Sequence, residues 1–406
     1  MPTAFSWWPL SVFYFGLMFV PIEASEFDSV TVFKNGSDGY NIFRIPAVVQ
    51  AANGDVIAFC EARSGGDASE IDLVLKRSKD GGQTWESLQV VQDNESFRKL
   101  FSDDVPELTV GNPAPVVDLL DPDHPGRIWL PFTLENDRVF VTFSDDHGIR
   151  WAPPREITAT VKRKDWGWYA TGPVHSIQLQ RGPHRGRIVI PADHRLGSGG
   201  EDRGSAGAQV IYSDDHGANW HLGAIDDTYD DDLDANETTV VELTDGRLYF
   251  NTRDQNGKAA GTRGGAISHD GGLTFHRSDD PVYKWFVPEP QPFDLPVVQG
   301  ALLRAASESD GDGLDLILFS GPDENGPTGR GRSDLRLRYS TDETLTWRDG
   351  PLIHEGPAAY SDLVRLSSKI YGVLFEAGEK GKKRYDRINF VRFSRADIGA
   401  DIGAGL

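Results

Sequence analysis

Arg44 stands between two apolar residues and directly before a proline, in Phe43-Arg44-Ile45-Pro46. An edge strand facing water is the plain alternative to a ligand contact there. Asp67 ends the glycine-rich turn Glu61-Ala62-Arg63-Ser64-Gly65-Gly66-Asp67, which presents an acid after a strand-like run. Glu237 and Arg253 lie sixteen residues apart with Asp245-Gly246 between them. That dipeptide is a hairpin turn signal, so a hairpin can bring the two side chains to one sheet end. Arg330 and Arg332, in Arg330-Gly331-Arg332-Ser333-Asp334-Leu335, add basic groups. Ala359-Tyr360-Ser361-Asp362-Leu363 and Leu374-Phe375-Glu376 close the set. Arginine is always charged and makes planar, two-pronged contacts to carboxylates. Several arginines with interspersed acids therefore point to acid–base work on an anionic ligand.

The chain as a whole opposes such a ligand. It has 406 residues and a formal net charge of −21, which argues against nucleic acid or an anionic membrane surface as partner. An anionic substrate needs a local basic site set against that field. Cys60 is the single cysteine, so no intramolecular disulfide exists, and its apolar run Val56-Ile57-Ala58-Phe59-Cys60 fits a buried structural thiol.

The elements that must position these residues are announced by a repeat. Ser78-Lys79-Asp80-Gly81-Gly82-Gln83-Thr84-Trp85 has relatives beginning at Ser144, Ser213, Ser268 and Ser340, closing on Trp151, Trp220, Phe275 and Trp347. Ser and Asp side chains stabilise a tight turn, glycine supplies positive φ, and the aromatic pins the turn to a sheet. The fifth copy has Thr344 in the glycine position. The boxes read as scaffold, and their spacing leaves room for four short strands each, one propeller blade. The expectation is an all-β, six-bladed β-propeller of four-stranded antiparallel blades, closed by pairing Val30-Thr31-Val32-Phe33 with Asn389-Phe390-Val391-Arg392-Phe393.

These motifs, in this order, resemble the exo-α-sialidase (neuraminidase) family over essentially the whole chain after its N-terminal segment. The resemblance implies that Arg44, Arg253 and Arg332 bind the substrate carboxylate, with Arg330 the alternative to Arg332. It implies Tyr360 as nucleophile, Glu237 as its base and Asp67 as general acid/base, with Asp72 ranked lower. A phenol has a pKa of about 10, so it needs a base and nearby positive charge. A neutral phenol also avoids the repulsion that a carboxylate nucleophile would meet beside the substrate's own carboxylate. Glu376 matches a glutamate that orients the first arginine. Arg63, Asn112 and Gln299 are placed at or near the sugar, Asn112 standing where some bacterial members have aspartate, an animal-type feature.

The implied activity is retaining hydrolysis of terminal α-linked sialic acid from glycoproteins, glycolipids or oligosaccharides, with no metal or organic cofactor. Alternatives are a non-catalytic glycan- or protein-binding propeller, a hydrolase of a related acidic sugar, and a trans-sialidase. Residues 1–24 read as a secretory signal peptide, or an anchor if uncleaved; 25–395 form the catalytic propeller; 396–406 form a loose tail. A secreted or otherwise extracytoplasmic protein follows. The acid-dense stretch Asp226 to Asp234 reads as a solvated loop rather than a calcium site.

Overall fold

The computed structural model describes residue 1 and residues 27–101, 107–229, 233–255, 262–277, 287–288, 295–323, 331–382 and 385–399. The expected signal segment beyond Met1, Arg330, Asp230 to Asp232 and residues 400–406 lie outside them.

All the sheets are antiparallel, and their arrangement is propeller-like. The first has four strands, Ile42–Gln50, Val56–Arg63, Ile71–Ser78 and Gln89–Gln92. Three five-stranded sheets follow, built around Arg127–Leu134, Ile188–Leu196 and Leu248–Asp254. The last sheet has seven strands and includes Ser29–Lys34 from the start of the described chain. Val30 pairs with Phe390 and Thr31 with Asn389, the closure expected from sequence.

The expected count of six separate four-stranded blades differs from this hydrogen-bonded pattern. The cause is the strand Arg348–Arg365, 18 residues long. Its first half pairs with Ser333–Ser340 and its second, from Ala358, with Ile370–Ala377. The two strand groups are thereby fused into one sheet, and Gly356 with φ +110° sits at the junction. Tyr360 follows that junction by four residues.

The repeated boxes form one construction five times. In each, the backbone N–H four residues after the serine donates to its Oγ, at 2.7 Å for Gly82 and 3.0 Å for Thr344. The serine hydroxyl donates to the aspartate, whose Oδ1 accepts the N–H of the residue four further on. The closing aromatic then packs into the core, and four of the five meet a ring on a neighbouring sheet, Trp347 reaching Tyr249 at 6.5 Å between centroids. Trp85 meets Phe390 at 5.4 Å, Trp151 meets Phe59 at 5.8 Å and Trp220 meets Trp129 at 5.6 Å between ring centroids. The boxes are thus staples between sheets, and none of their serines, aspartates or aromatics lines the pocket described below.

Two local expectations change or sharpen. Cys60 is fully buried, and burial pushes its thiol pKa well up, as a structural thiol requires. The expected loose tail begins ordered: Ile398 is buried in the cluster that holds Phe393.

Candidate active site

Tyr360, Arg44, Arg253, Arg332, Glu237, Arg63 and Asp67 all line one pocket of about 520 Å³. They come from three of the sheets, the first, the one built around Leu248–Asp254 and the seven-stranded one, whose strand and turn ends converge there. The Tyr360 hydroxyl donates to Glu237 Oε1. Arg253 Nη1 donates to Glu237 Oε2 at 2.8 Å and to the Tyr360 oxygen at 3.2 Å. The hairpin reading of Glu237 and Arg253 therefore holds in space. A register shift between Ala235 and Thr238 turns the strand where Glu237 sits.

Arg44 sits on a distorted strand. Ile45 has φ +59°, a left-handed conformation that β-branched residues rarely adopt, and the register shifts between Arg44 and Ala47. Glu376 holds this kink. Its Oε1 accepts from Arg44 Nε at 2.5 Å and from the Ile45 N–H at 3.0 Å, while Oε2 accepts the Tyr360 N–H at 3.4 Å. One buried carboxylate thus sets both an arginine and the tyrosine backbone. The Arg44 guanidinium carbon lies 5.4 Å from the Tyr360 ring centre, and that of Arg332 lies 5.8 Å from it. Arg332 is steadied by donating to the Val297 carbonyl at 2.9 Å.

Burial raises the Tyr360 pKa and the Glu237 charge adds to that, while Arg253, Arg332 and Arg44 pull it down; the net shift is upward. The phenol is a neutral donor in the resting site. Asp67 is the opposite case. Partial burial works to raise its pKa, but Arg63, joined by Arg44 and Arg332, outweighs it and the carboxyl is held below its usual range. Arg63 Nη1 donates to Asp67, and Nε and Nη2 both donate to Glu61. The Asp67 side chain is 88% exposed, on the pocket's outer rim, whereas Tyr360 is 7% exposed at its base.

Asn112 lines the pocket with φ +59°, a conformation asparagine tolerates. Its Oδ1 accepts from Thr133 and Asn136, each at 2.8 Å. Two residues take other places. Gln299 does not line the pocket: it is 1% exposed and exchanges two hydrogen bonds with the Ser361 backbone, each at 2.9 Å. Expected at or near the sugar, it braces the tyrosine strand. Asp72 accepts from Tyr40 at 2.6 Å and from Asn94, away from the pocket.

Sequence reasoning passed over Glu61, Tyr385 and Trp168, which also line the pocket. Glu61 carried a signal, a charged residue inside an otherwise apolar strand, and it is 3% exposed. It also accepts the Asn112 N–H at 2.8 Å. Tyr385, whose ring centre lies 5.0 Å from the Arg44 guanidinium carbon, carried none.

The model of the BNR repeat-like domain matches residues 54–372. The chain belongs to this family. Among the proteins it is similar to is the "Sialidase" of Micromonospora viridifaciens, 30% identical over 371 residues, covering 85% of this chain. This chain spans only about half of that relative's length, 51%. The "Exo-alpha-sialidase" of Aspergillus fumigatus is 28% identical over 400 residues, covering 88% of this chain and 84% of its own. Among solved structures, the "Hadza microbial sialidase Hz136" superposes with a TM-score of 0.72 at 25% identity, covering 91% of this chain and 69% of its own.

Proposed function

We propose that this BNR protein is a retaining exo-α-sialidase, releasing terminal sialic acid from glycoconjugates through a covalent tyrosyl intermediate. The observation that carries the reading is the Tyr360 hydroxyl hydrogen-bonded to Glu237 among three arginines. A buried phenol paired with a carboxylate base and faced by guanidinium groups suits attack on a carbon that already bears a carboxylate. The names of the relatives support the substrate class.

Arg44, Arg253 and Arg332 bind the substrate carboxylate through guanidinium N–H groups. Glu237 takes the proton of Tyr360 as its oxygen bonds to the anomeric carbon. The bond to the leaving oxygen breaks, and Asp67 supplies the proton that oxygen takes. Asp67, now a carboxylate, then removes a proton from water. The water oxygen attacks the anomeric carbon from the vacated side, the phenolate leaves, and Glu237 returns its proton. Two displacements at one carbon retain configuration.

The axial cavity is lined by residues of six inner strands, among them Val48, Val116, Ile177, Val240, Leu303 and Leu363. This supports counting the seven-stranded sheet as two blades, six in all. We assign residues 1–24 to secretion and expect the mature protein to act on sialylated glycans outside the cytoplasm.

Incubation with a fluorogenic α-sialoside tests the substrate class, and proton NMR of the first-formed sugar tests the stereochemistry. Release of the α-anomer first is the expected result. A protein inert toward sialosides but active on another acidic glycoside would move the assignment to that sugar.

A further inference from the structure

Asp362 lies two residues beyond Tyr360 on the same strand and is fully buried. Both of its oxygens are occupied, and by three different sheets. Oδ2 accepts the Val48 N–H and the His175 N–H, each at 2.9 Å. Oδ1 accepts the Leu363 N–H at 2.9 Å and faces His175 Nδ1 at 2.7 Å. Val48 belongs to the strand that carries Arg44. His175 sits in the third sheet, between Trp166–Thr171 and Ile177–Gln178. The innermost strand of a sheet has one unpaired edge, whose buried N–H groups need acceptors. Here a carboxylate from a different sheet fills that need.

His175 and Val48 also line the axial cavity, of about 360 Å³, which shares no lining residue with the pocket around Tyr360. The pair therefore lies behind the candidate site and touches no bound sugar. Burial works to lower the His175 pKa, but Asp362 outweighs it and the net shift is upward.

We propose that His175 and Asp362 are a positioning pair for the reaction, fixing the Arg44 strand against the Tyr360 strand. This rests on the sialidase reading above. Apolar packing could hold three sheets together without charge, but a hydrogen-bonded carboxylate fixes their relative height as well. Tyr360 is two residues along its strand from the clamp, about 7 Å at roughly 3.3 Å per residue. A misplacement of about 1 Å can cost roughly a hundredfold in rate.

The test compares His175→Ala, His175→Asn and wild type in full-length protein, with melting temperatures measured beside the kinetics. His175→Ala is expected to remain folded at the assay temperature and to lose about ten- to a hundredfold in kcat/KM. His175→Asn, whose short amide can donate to Asp362 in place of Nδ1, is expected to regain most of it. Hydrogen exchange over residues 44–50 gives an arm independent of activity and should quicken in His175→Ala. Unchanged exchange there, wild-type kcat/KM in His175→Ala, or a loss that His175→Asn fails to recover overturns the proposal. If wild type cleaves no sialoside, the functional reading fails while the exchange arm still decides the clamp.

Discussion

The Tyr360 hydroxyl donates to Glu237 Oε1 across 123 positions of sequence, and Arg253 touches both groups. A base that already holds the phenol's proton in a hydrogen bond needs no rearrangement to accept it. Glu237→Gln keeps the shape and Arg253's neighbour but removes the base. It should lower kcat by about 10²–10⁴ with little change in melting temperature, measured by steady-state kinetics and calorimetry.

The Asp67–Arg63 pair sets the pH dependence. A depressed carboxyl pKa means that free protein at neutral pH carries Asp67 almost wholly ionised. As a general acid it must be protonated, so kcat/KM should rise as pH falls from neutral. If bound sugar covers Asp67 and loosens its contact with Arg63, the pKa in the complex rises. The alkaline limb of kcat should therefore lie at higher pH than that of kcat/KM. The pair stabilises the fold only above the unfolded carboxyl pKa, and this is lost as pH falls through the lower folded value. With the Asp67 side chain 88% exposed, that stabilisation is small.

Glu376 holds three groups at once, and its side chain is 1% exposed. Glu376→Ala leaves Arg44 without its partner and Ile45 without support for its left-handed backbone. A loss of about 3–5 kcal/mol is expected, as when one partner of a buried pair is removed. Glu376→Gln keeps an acceptor for the Ile45 N–H and should lose less. Denaturant unfolding of the two variants reads the difference.

The staples make opposite predictions at two positions. A Cβ on Gly82 would lie 2.1 Å from the Phe390 ring at φ +94°, so Gly82→Ala should lower the melting temperature. Thr344 already carries a branched side chain at φ +71°, a strain of about 1–2 kcal/mol. Thr344→Gly relieves part of it and should raise the melting temperature. Thermal unfolding of the pair is the check.

What sequence could and could not reveal follows from the range of the interactions. The boxes were legible because Ser78, Asp80 and Gly82 bond one another within a few residues. Glu237 and Arg253 were legible because one hairpin joins them. Arg44 was legible through its company, an arginine before a proline, although its kink depends on Glu376, 332 positions away. The bracing role of Gln299 was not legible because its partner is Ser361, 62 positions on. His175 and Asp362 carried no local sign of their contact across 187 positions. The fusion of two strand groups was hidden because Arg348–Arg365 contains Gly350, Pro351, Gly356 and Pro357, which read as breaks, yet the strand runs through them.

The most direct test is Tyr360→Phe on a fluorogenic α-sialoside. Removing the hydroxyl leaves the ring, the arginines and Glu237 in place but deletes the atom that bonds to the sugar. We predict that kcat falls about a thousandfold or more, with a melting temperature close to wild type. A Tyr360→Phe protein that hydrolyses the sialoside at the wild-type rate would contradict the tyrosyl mechanism.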